Sequence, residues 1–295
     1  MRKFLTRFVF HPIEAVLAIV IYTLFRLLPF SVSSAIGGVI GRLIGPRLSV
    51  SKRAVRNVSR VYPDMTDVEV RRIIHGMWDN LGRLAGEYPH LSKINVYDPS
   101  GPVEVVGAEF VDQLRDDGIP GIFVSAHIGN WEIVPLCGSQ RGLPIDRVYR
   151  AANNRLVEWL YMQGRVATEG ALIPKGASGA RMLLKSLKDG QHLGVLMDQK
   201  MNDGIAVPFF GRDVMTAPAI ADLALRFECP VVPVHIERVE GAKFRIILEA
   251  PLEIGKTDDK QKDVAVLLGQ INNRIETWIR AHPEQWLWLH NRWSD

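Results

Sequence analysis

A histidine and a glutamate stand five residues apart in the segment HIGNWE, at His127 and Glu132. The apolar run 121–126 before them is too short for a helix and ends at a Gly-Asn turn signal, which predicts a buried strand. His127 therefore stands at a strand end, and Glu132 falls on the first turn of the helix expected to follow. An imidazole with a carboxylate just behind it is suited to taking a proton from a hydroxyl group.

Two further apolar runs also end in polar side chains. The run Ile145–Tyr149 leads to Arg150, and the run Leu193–Met197 leads to Asp198 and then Gln199. Sites in open α/β sheets lie outside the carboxyl ends of the strands, so these strand ends predict one site holding a base, a cation and a carboxylate. Each residue has a structural alternative, namely a hydrogen-bonded histidine, an acid at a helix N-terminus, a surface arginine and a turn aspartate.

Other catalytic motifs are missing from the sequence. It contains neither the helical zinc motif, with two histidines at i and i+4, nor the Gly-x-Ser-x-Gly elbow of serine hydrolases. The two cysteines, Cys137 and Cys229, lie far apart and are interpreted as buried thiols in a reducing compartment. We therefore expect no metal ion and no organic cofactor.

Alternating short apolar and amphipathic runs position these side chains. Strands are predicted at 121–126, 145–149, 193–197, 230–236 and 244–248, and helices at 154–167, 178–189, 217–227 and 263–281. Such alternation predicts an α/β fold with a mostly parallel central sheet flanked by helices. We assign this core to residues 101–295, and a helical, membrane-proximal region to residues 31–100.

Residues 1–30 are predicted to form a membrane anchor. The apolar run Ile13–Phe30 is marginal for a span, which needs roughly 20 residues, and no small-residue cleavage site follows it. The larger group of flanking cations comes after the run, so the positive-inside rule places the downstream domain in the cytoplasm. A helix lying along anionic lipid gives the same placement. A buried core helix is the structural alternative.

The chain has the composition of a globular protein, with 47% hydrophobic and 23% charged residues among 295. Its formal net charge of +4 suggests an anionic partner, which could be a membrane surface, a nucleic acid or an anionic substrate. The positive charge clusters beside the apolar N-terminal run, and no nucleic-acid-binding motif is present. Nucleic acid is therefore not expected.

The HIGNWE segment fits the His-x-x-x-x-Asp/Glu signature of glycerolipid-type acyltransferases. Along nearly its whole length the chain more closely resembles the late acyltransferases of lipid A biosynthesis, the lauroyl and myristoyl transferase family. The matching segments are the N-terminal hydrophobic run, His127–Glu132, Val148–Arg150 with Asn153 and Asn154, Asp198–Gln199, Phe209–Gly211 with Thr216 and Ala217, and Pro283–Trp293. The ordered set is far more specific than the histidine–glutamate pair alone.

This resemblance implies transfer of a fatty acyl chain from acyl carrier protein to a hydroxyl group of a lipid A precursor, at the cytoplasmic face of a bacterial inner membrane. His127 would be the general base and Glu132 would orient its imidazole. Arg150 would stabilise the oxyanion or anchor an anionic group, and Asp198 would position Arg150 or the acceptor sugar. No covalent intermediate is required, because the hydroxyl can attack directly. Secondary site candidates are Asn130, Gln199, Phe209 and Phe210, of which the two phenylalanines could equally fill the core.

Two other functions stay open at this point. One is acylation of another membrane glycolipid or of a glycerophospholipid, although no clear P-E-G-T-R motif of the glycerolipid enzymes is present. The other is a non-catalytic, membrane-attached binding protein. Release of free carrier-protein thiol from an acyl donor and a lipid acceptor would distinguish an enzyme from a binding protein.

Overall fold

The computed structural model describes residues 10–152 and 154–293. Its α-helices are α1 His11–Leu27, α2 Phe30–Ile44, α3 Ser51–Val61, α4 Asp67–Glu87, α5 Glu109–Asp116, α6 Leu136–Ser139, α7 Arg155–Arg165, α8 Ala177–Lys188, α9 Ala219–Phe227 and α10 Lys260–Ala281. Short 3-10 helices cover Gly45–Arg47, Tyr88–Lys93 and Pro283–Gln285. The strands are β1 Val103–Val106, β2 Ile122–Ser125, β3 Ile145–Tyr149, β4 Leu172–Pro174, β5 His192–Leu196, β6 Ile205–Phe209, β7 Arg212–Thr216, β8 Val231–Glu240 and β9 Lys243–Leu248.

Within the described residues, seven strands form one sheet in the order β1-β9-β8-β2-β5-β3-β4, and β6 and β7 form a separate hairpin. All neighbours in the large sheet are parallel except β8 and β9. The predicted mostly parallel α/β fold is confirmed. The sequence pattern missed four strands, namely the short edge strands β1 and β4 and the two strands of the separate hairpin, β6 and β7.

The central strand β2 is buried along its whole length. Ile122 and Val124 face one hydrophobic cluster, and Phe123 faces a second cluster on the opposite side. Burial on both faces explains why this strand reads as a continuous apolar run rather than an alternating one. β2 lies beside β5, and β5 lies beside β3. The three polar strand ends predicted from the sequence therefore belong to three neighbouring strands.

The helical region before the sheet is held together by an unusually close contact between α2 and α4. A Cβ atom on Gly37 would lie 2.2 Å from the carbonyl oxygen of Gly82, and a Cβ on Gly82 would lie 2.2 Å from that of Gly37. Only glycine permits backbones to approach this closely. A capping box formed by Thr66 and Glu69 begins α4. The helix α4 is thereby fixed at its start and along its length.

The first two helices expose much of their apolar surface. Large exposed apolar side chains on α1 and α2 include Ile13, Val16, Leu17, Val20, Leu24, Leu27, Val39, Ile40, Leu43 and Ile44. Over residues 10–152 and 154–293, no helix has the length and apolarity that crossing a membrane requires. The first nine residues of the predicted anchor, like Asn153, lie outside the described residues.

Candidate active site

His127 and Asp198 meet at the carboxyl end of the sheet, because they follow the neighbouring strands β2 and β5. The His127 Nδ1 atom lies 2.8 Å from Asp198 Oδ1. The other carboxylate oxygen accepts hydrogen bonds from the backbone N–H of His127 at 3.0 Å and from Trp286 Nε1 at 2.8 Å. Asp198 is fully buried, and its side chain serves to hold the histidine.

Burial alone would raise the pKa of Asp198. The neighbouring His127 and His290 imidazoles and the hydrogen bonds from His127 outweigh that effect and hold the pKa of the carboxyl well below its ordinary value. Asp198 is therefore an acceptor, so the proton of a neutral His127 sits on Nδ1 and the lone pair on Nε2. A histidine in this tautomer is equipped to accept a proton at Nε2.

Glu132 does not hold the imidazole, contrary to the expectation from its spacing. It lies in the turns that precede α6, and it pairs with Arg165 on α7, with Oε1 2.9 Å from Nη2. The pair is mostly buried, and although burial opposes it, the Glu132 carboxylate raises the pKa of Arg165. The orienting carboxylate is Asp198, because pairing of β2 with β5 brings it to Nδ1 across 71 residues of sequence.

A second imidazole, His290, contacts the first, with ring centroids 4.8 Å apart. Burial lowers the pKa of His290 to about 4, despite the attraction of Asp198. The amide of Gln199 bridges the two rings, with Nε2 3.3 Å from each Nε2 atom, and its Oε1 accepts a hydrogen bond from Lys175 Nζ at 2.6 Å. His290 belongs to the matched C-terminal segment, which was the one sequence signal for it. Nothing in the sequence pattern marked Lys175.

The loop after His127 is fixed by contacts from two directions. Gly129 adopts a φ of 57°, and its carbonyl accepts a hydrogen bond from Asn80 on α4. Asn130 is fully buried and donates to Glu87, which also pairs with Arg238 of β8. From the C-terminal segment, the Gln285 carbonyl accepts from Gly129 N–H, and Leu287 N–H donates to the His127 carbonyl. Asn130 is thus a contact that fixes the loop.

Arg150 lies exposed at the end of β3. In the part of the chain that the structure describes, no hydrogen bond joins it to His127 or Asp198, and it interacts electrostatically with Lys175. Burial and the Arg150 charge together lower the pKa of Lys175. Lys175 thus stands between the exposed Arg150 and the carboxylate of Asp198, with electrostatic interactions to both.

Phe209 and Phe210 lie in an aromatic cluster with the C-terminal tryptophans. Phe209 stacks on Trp293, with ring centroids 5.7 Å apart, and makes an edge contact with Phe210 at 4.9 Å. The buried Arg292 guanidinium lies over the Phe209 ring and donates to the backbone carbonyl of Gln199. Trp286, Trp288 and Trp293 are also buried. Through Arg292 and Trp286, this cluster contacts Gln199 and Asp198 of the site.

A cavity of about 100 Å³ lies beside the loop. Its walls are mainly apolar, and its polar lining includes Ser125, Glu132, Arg147 and Arg165. Phe209 and Phe210 are not among its lining residues. Cys137 also lines it and Cys229 is buried elsewhere, and burial raises their pKa values to about 12 and 11. Both cysteines are therefore protonated thiols.

His127, Asp198 and His290 form a group that could hold a metal ion, with ligand atoms within 4.8 Å of one another. The hydrogen bonds argue for a different use of these atoms. Asp198 already accepts three N–H groups, and both Nε2 atoms face the Gln199 amide. A cation would have to displace the Nδ1 proton that Asp198 holds. The donor set therefore suits proton transfer better than metal ligation.

The protein is thus an α/β protein with a mostly buried histidine–aspartate pair at the carboxyl edge of a parallel sheet. The model of the bacterial lipid A biosynthesis acyltransferases matches residues 1–295, so the chain belongs to that family. It is 25% identical over 279 residues to the Escherichia coli lipid A biosynthesis palmitoleoyltransferase, covering 90% of this chain and 86% of that protein. It is 23% identical over 278 residues to the Escherichia coli lauroyltransferase, covering 90% and 87%. The crystal structure of the 1-acyl-sn-glycerophosphate acyltransferase PlsC from Thermotoga maritima aligns with a TM-score of 0.40 and 13% identity, over 90% of this chain and 100% of that one.

Proposed function

We propose that the protein is an O-acyltransferase that moves a fatty acyl chain from acyl carrier protein to a hydroxyl group of a lipid A precursor. One observation carries the proposal. The buried Asp198 carboxylate holds His127 with its Nε2 lone pair directed away from the carboxylate, at the edge of the sheet where substrates of α/β proteins bind. Membership of the lipid A acyltransferase family supports the choice of acceptor.

In the proposed reaction, the acceptor hydroxyl donates its proton to His127 Nε2 as its oxygen attacks the thioester carbonyl. The tetrahedral oxyanion then collapses, the carbon–sulfur bond breaks, and the leaving thiolate takes the proton from the imidazolium. Asp198 stabilises that imidazolium, which is the role the sequence suggested for Glu132. A positioned general base contributes roughly 10²–10⁴-fold to the rate. The step needs no covalent acyl-enzyme.

We assign to Arg150 the stabilisation of the oxyanion or the binding of an anionic substrate group. Its exposed position at the end of β3, beside Lys175, supports this role. A fixed positive charge near the developing oxyanion lowers the barrier most when water is excluded. Replacing Arg150 by Gln should therefore reduce the turnover rate, while Arg155→Gln at the start of α7 serves as a matched control.

Acyl carrier protein is proposed as the donor because a cationic helix adjoins the site. Helix α3 exposes Lys52, Arg53 and Arg56 and contains no acidic residue. Asn57 on its buried face donates to the carbonyl of His290 at 2.8 Å. An acidic carrier would therefore be guided to the entrance of the site. Charge reversal at Arg56 should raise the KM for the carrier-bound donor and leave a small thioester donor unaffected.

We further propose that residues 1–30 anchor the protein along the cytoplasmic face of the inner membrane. Helices α1 and α2 expose apolar side chains such as Leu17 and Leu24, each 58% accessible. An apolar patch of this kind marks an interaction surface, and a helix lying in the interface buries such a face among lipids. Residues 31–100 would then stand next to the membrane, and residues 101–295 would form the catalytic core.

The anchor is tested with the double variant Leu17→Glu/Leu24→Glu and vesicles of mixed zwitterionic and anionic lipid. The expected result is loss of vesicle co-sedimentation without loss of folding. Val239→Glu, at a similarly exposed apolar position on β8, is the matched control. Unchanged vesicle binding by the double variant would show that another surface holds the membrane.

The catalytic proposal is tested by assaying His127→Ala and Asp198→Ala in detergent with acyl carrier protein and a lipid A precursor. Both should lose most of the thiol release and acyl transfer seen with the wild type, while His75→Ala, an exposed histidine on α4, should not. Near wild-type activity of either site variant would remove its proposed role. Transfer to glycerophospholipids in place of the precursor would redirect the acceptor. No thiol release with any acceptor would favour a binding protein.

A further inference from the structure

The Gln199 side chain is held in one orientation by Lys175. Lysine has only N–H donors, so the amide atom that faces Lys175 Nζ at 2.6 Å must be the oxygen. The amide nitrogen is therefore the atom between the two imidazoles, 3.3 Å from His127 Nε2 and 3.3 Å from His290 Nε2. Chemistry alone fixes the direction of this amide.

An amide nitrogen carries two N–H donors and no acceptor. It can bind both Nε2 atoms at once only if each of them is unprotonated. For His127, this agrees with the separate requirement from Asp198, which places the proton on Nδ1. For His290, it agrees with a neutral ring that is largely buried. Two independent contacts thus select the same tautomer of the catalytic histidine.

We propose that Gln199, oriented by Lys175, is a positioning residue that covers the Nε2 lone pair of His127 until the acceptor hydroxyl replaces it. This inference rests on the proposed function and concerns the same site. The covering bond is shared with His290, so Gln199 keeps one hydrogen bond when substrate takes the other. The acceptor O–H therefore replaces one amide N–H at His127 Nε2, while the second amide N–H stays bound to His290 Nε2.

Four charged side chains, each from a different part of the fold, surround the His127 and His290 rings. Asp198 follows β5, Lys175 follows β4, Arg53 comes from α3, and Arg292 comes from the C-terminal segment. Arg150 interacts electrostatically with Lys175. The wild-type and variant sites share all of these, so differences between them report on the amide.

The central test is Gln199→Glu, which keeps the shape and replaces the two N–H donors by a carboxylate. A carboxylate next to both Nε2 atoms favours their protonated forms, and a protonated His127 cannot act as the base. The acid limb of the pH–rate profile should therefore move to higher pH by about 1 unit or more. Gln113→Glu, on the exposed surface of α5, adds the same charge elsewhere and should leave the profile unchanged.

The role of Lys175 is tested with Lys175→Met and Lys175→Arg. Methionine removes the donor that orients the amide, so kcat should fall while the KM for the carrier-bound donor changes little. Arginine restores a donor and should recover much of kcat. Lys188→Met, at an exposed lysine of α8, is the matched control. Equal kcat values for wild type and Lys175→Met would overturn the part assigned to Lys175.

Nuclear magnetic resonance of the histidine ring nitrogens tests the inference without any activity. In the wild type, Nε2 of both His127 and His290 should give the signal of an unprotonated ring nitrogen at neutral pH, and in Gln199→Glu this signal should be lost at a higher pH than in the wild type as the sample is acidified. A protonated Nε2 on His127 in the wild type would overturn the proposal, as would an unshifted acid limb in Gln199→Glu. Absence of acyl transfer in the wild type would count against the proposed function alone, because the spectrum is read independently.

Discussion

The two ends of the HIGNWE segment have opposite surroundings, although five residues separate them. His127 is bound to a carboxylate from the next strand and faces a second imidazole. Glu132 is paired with a guanidinium from α7, beside an apolar cavity. At the first end, Nε2 of His127 is unprotonated and can take a proton. At the other end, the negative charge of Glu132 is paired with the Arg165 guanidinium.

This contrast shows that a carboxylate acquires its function from the group it meets. Asp198 is fully buried, and its oxygens are turned to the histidine by three hydrogen bonds. Glu132 has both oxygens on Arg165. Asp198 thus binds the histidine, and Glu132 binds a guanidinium of the surrounding fold.

The largest difference between the two ends should appear with Asp198→Asn and Glu132→Gln. The asparagine amide introduced by the first variant can donate to Nδ1 and so allow the unproductive tautomer, and kcat should fall by about 10³-fold. Glu132→Gln should retain roughly a tenth or more of the wild-type kcat, because Glu132 does not contact the base. Steady-state acyl transfer assays measure both. A greater loss in Glu132→Gln than in Asp198→Asn would reverse the assignment of the two carboxylates.

A loss of stability is expected at the Glu132 end. Removing the glutamate charge leaves the mostly buried Arg165 without its counter-ion, which should lower the free energy of unfolding by about 3 kcal/mol. The double variant Glu132→Gln/Arg165→Met removes both charges and should recover part of this loss. Urea unfolding of the wild type, the two single variants and the double variant forms the thermodynamic cycle. A coupling energy near zero would mean that the ion pair does not stabilise the fold.

The two ends should also differ in their response to acid. The buried His290 has a pKa of about 4 in the folded protein, against about 6.5 in an unfolded chain. Between these values the unfolded chain binds a proton that the folded one does not. His290 should therefore lower the free energy of unfolding by about 3 kcal/mol as the pH drops from 7 to 4.

Replacing His290 by Gln should remove only its own share of this acid dependence, because burial also lowers the pKa of His235 to about 4. Arg165 stays charged over the same range, so Arg165→Met should leave the slope of stability against pH as it is in the wild type. Urea unfolding at several pH values measures both slopes. Identical slopes for wild type and His290→Gln would show that another group causes the acid loss.

The smallest effect is expected from Trp286→Phe, which tests the third hydrogen bond to Asp198 at the His127 end. It removes the N–H that donates to Asp198 Oδ2 at 2.8 Å and leaves the two hydrogen bonds from His127. We expect a loss of kcat of about 10-fold or less. Trp278→Phe, at a buried tryptophan of α10 that bonds Glu249, is the control for loss of an indole N–H. Equal kcat losses in the two variants would mean that the effect is one of packing.

Much of the architecture could be predicted because the central strands are short apolar runs in the sequence. The runs that became β2 and β5 are mainly apolar, since helices cover both faces of a parallel sheet. The polar residues after them could be predicted to gather at one edge. The edge strands β1 and β4 were missed because they are short, and the antiparallel return of β9 follows from a hairpin that apolar runs do not reveal.

The sequence of the C-terminal segment was compatible with two different placements of its tryptophans. Its tryptophans could have formed an interfacial belt or packed on the core, and the structure buries Trp286, Trp288 and Trp293. Their neighbour His290 thereby comes to face His127 from more than 160 residues away in sequence. Composition alone contains no information about that contact.

The sequence by itself determined the α/β class, the family resemblance and the strand end at which His127 stands, because these depend on local periodicity and ordered motifs. The tertiary structure decided which carboxylate binds that histidine, since the order of strands sets which strand ends become neighbours. It also brought Gln199, His290 and Lys175 together from three separate segments. The physical reason is that a hydrogen bond requires its two atoms within about 3 Å, a condition that sequence spacing cannot specify across a sheet.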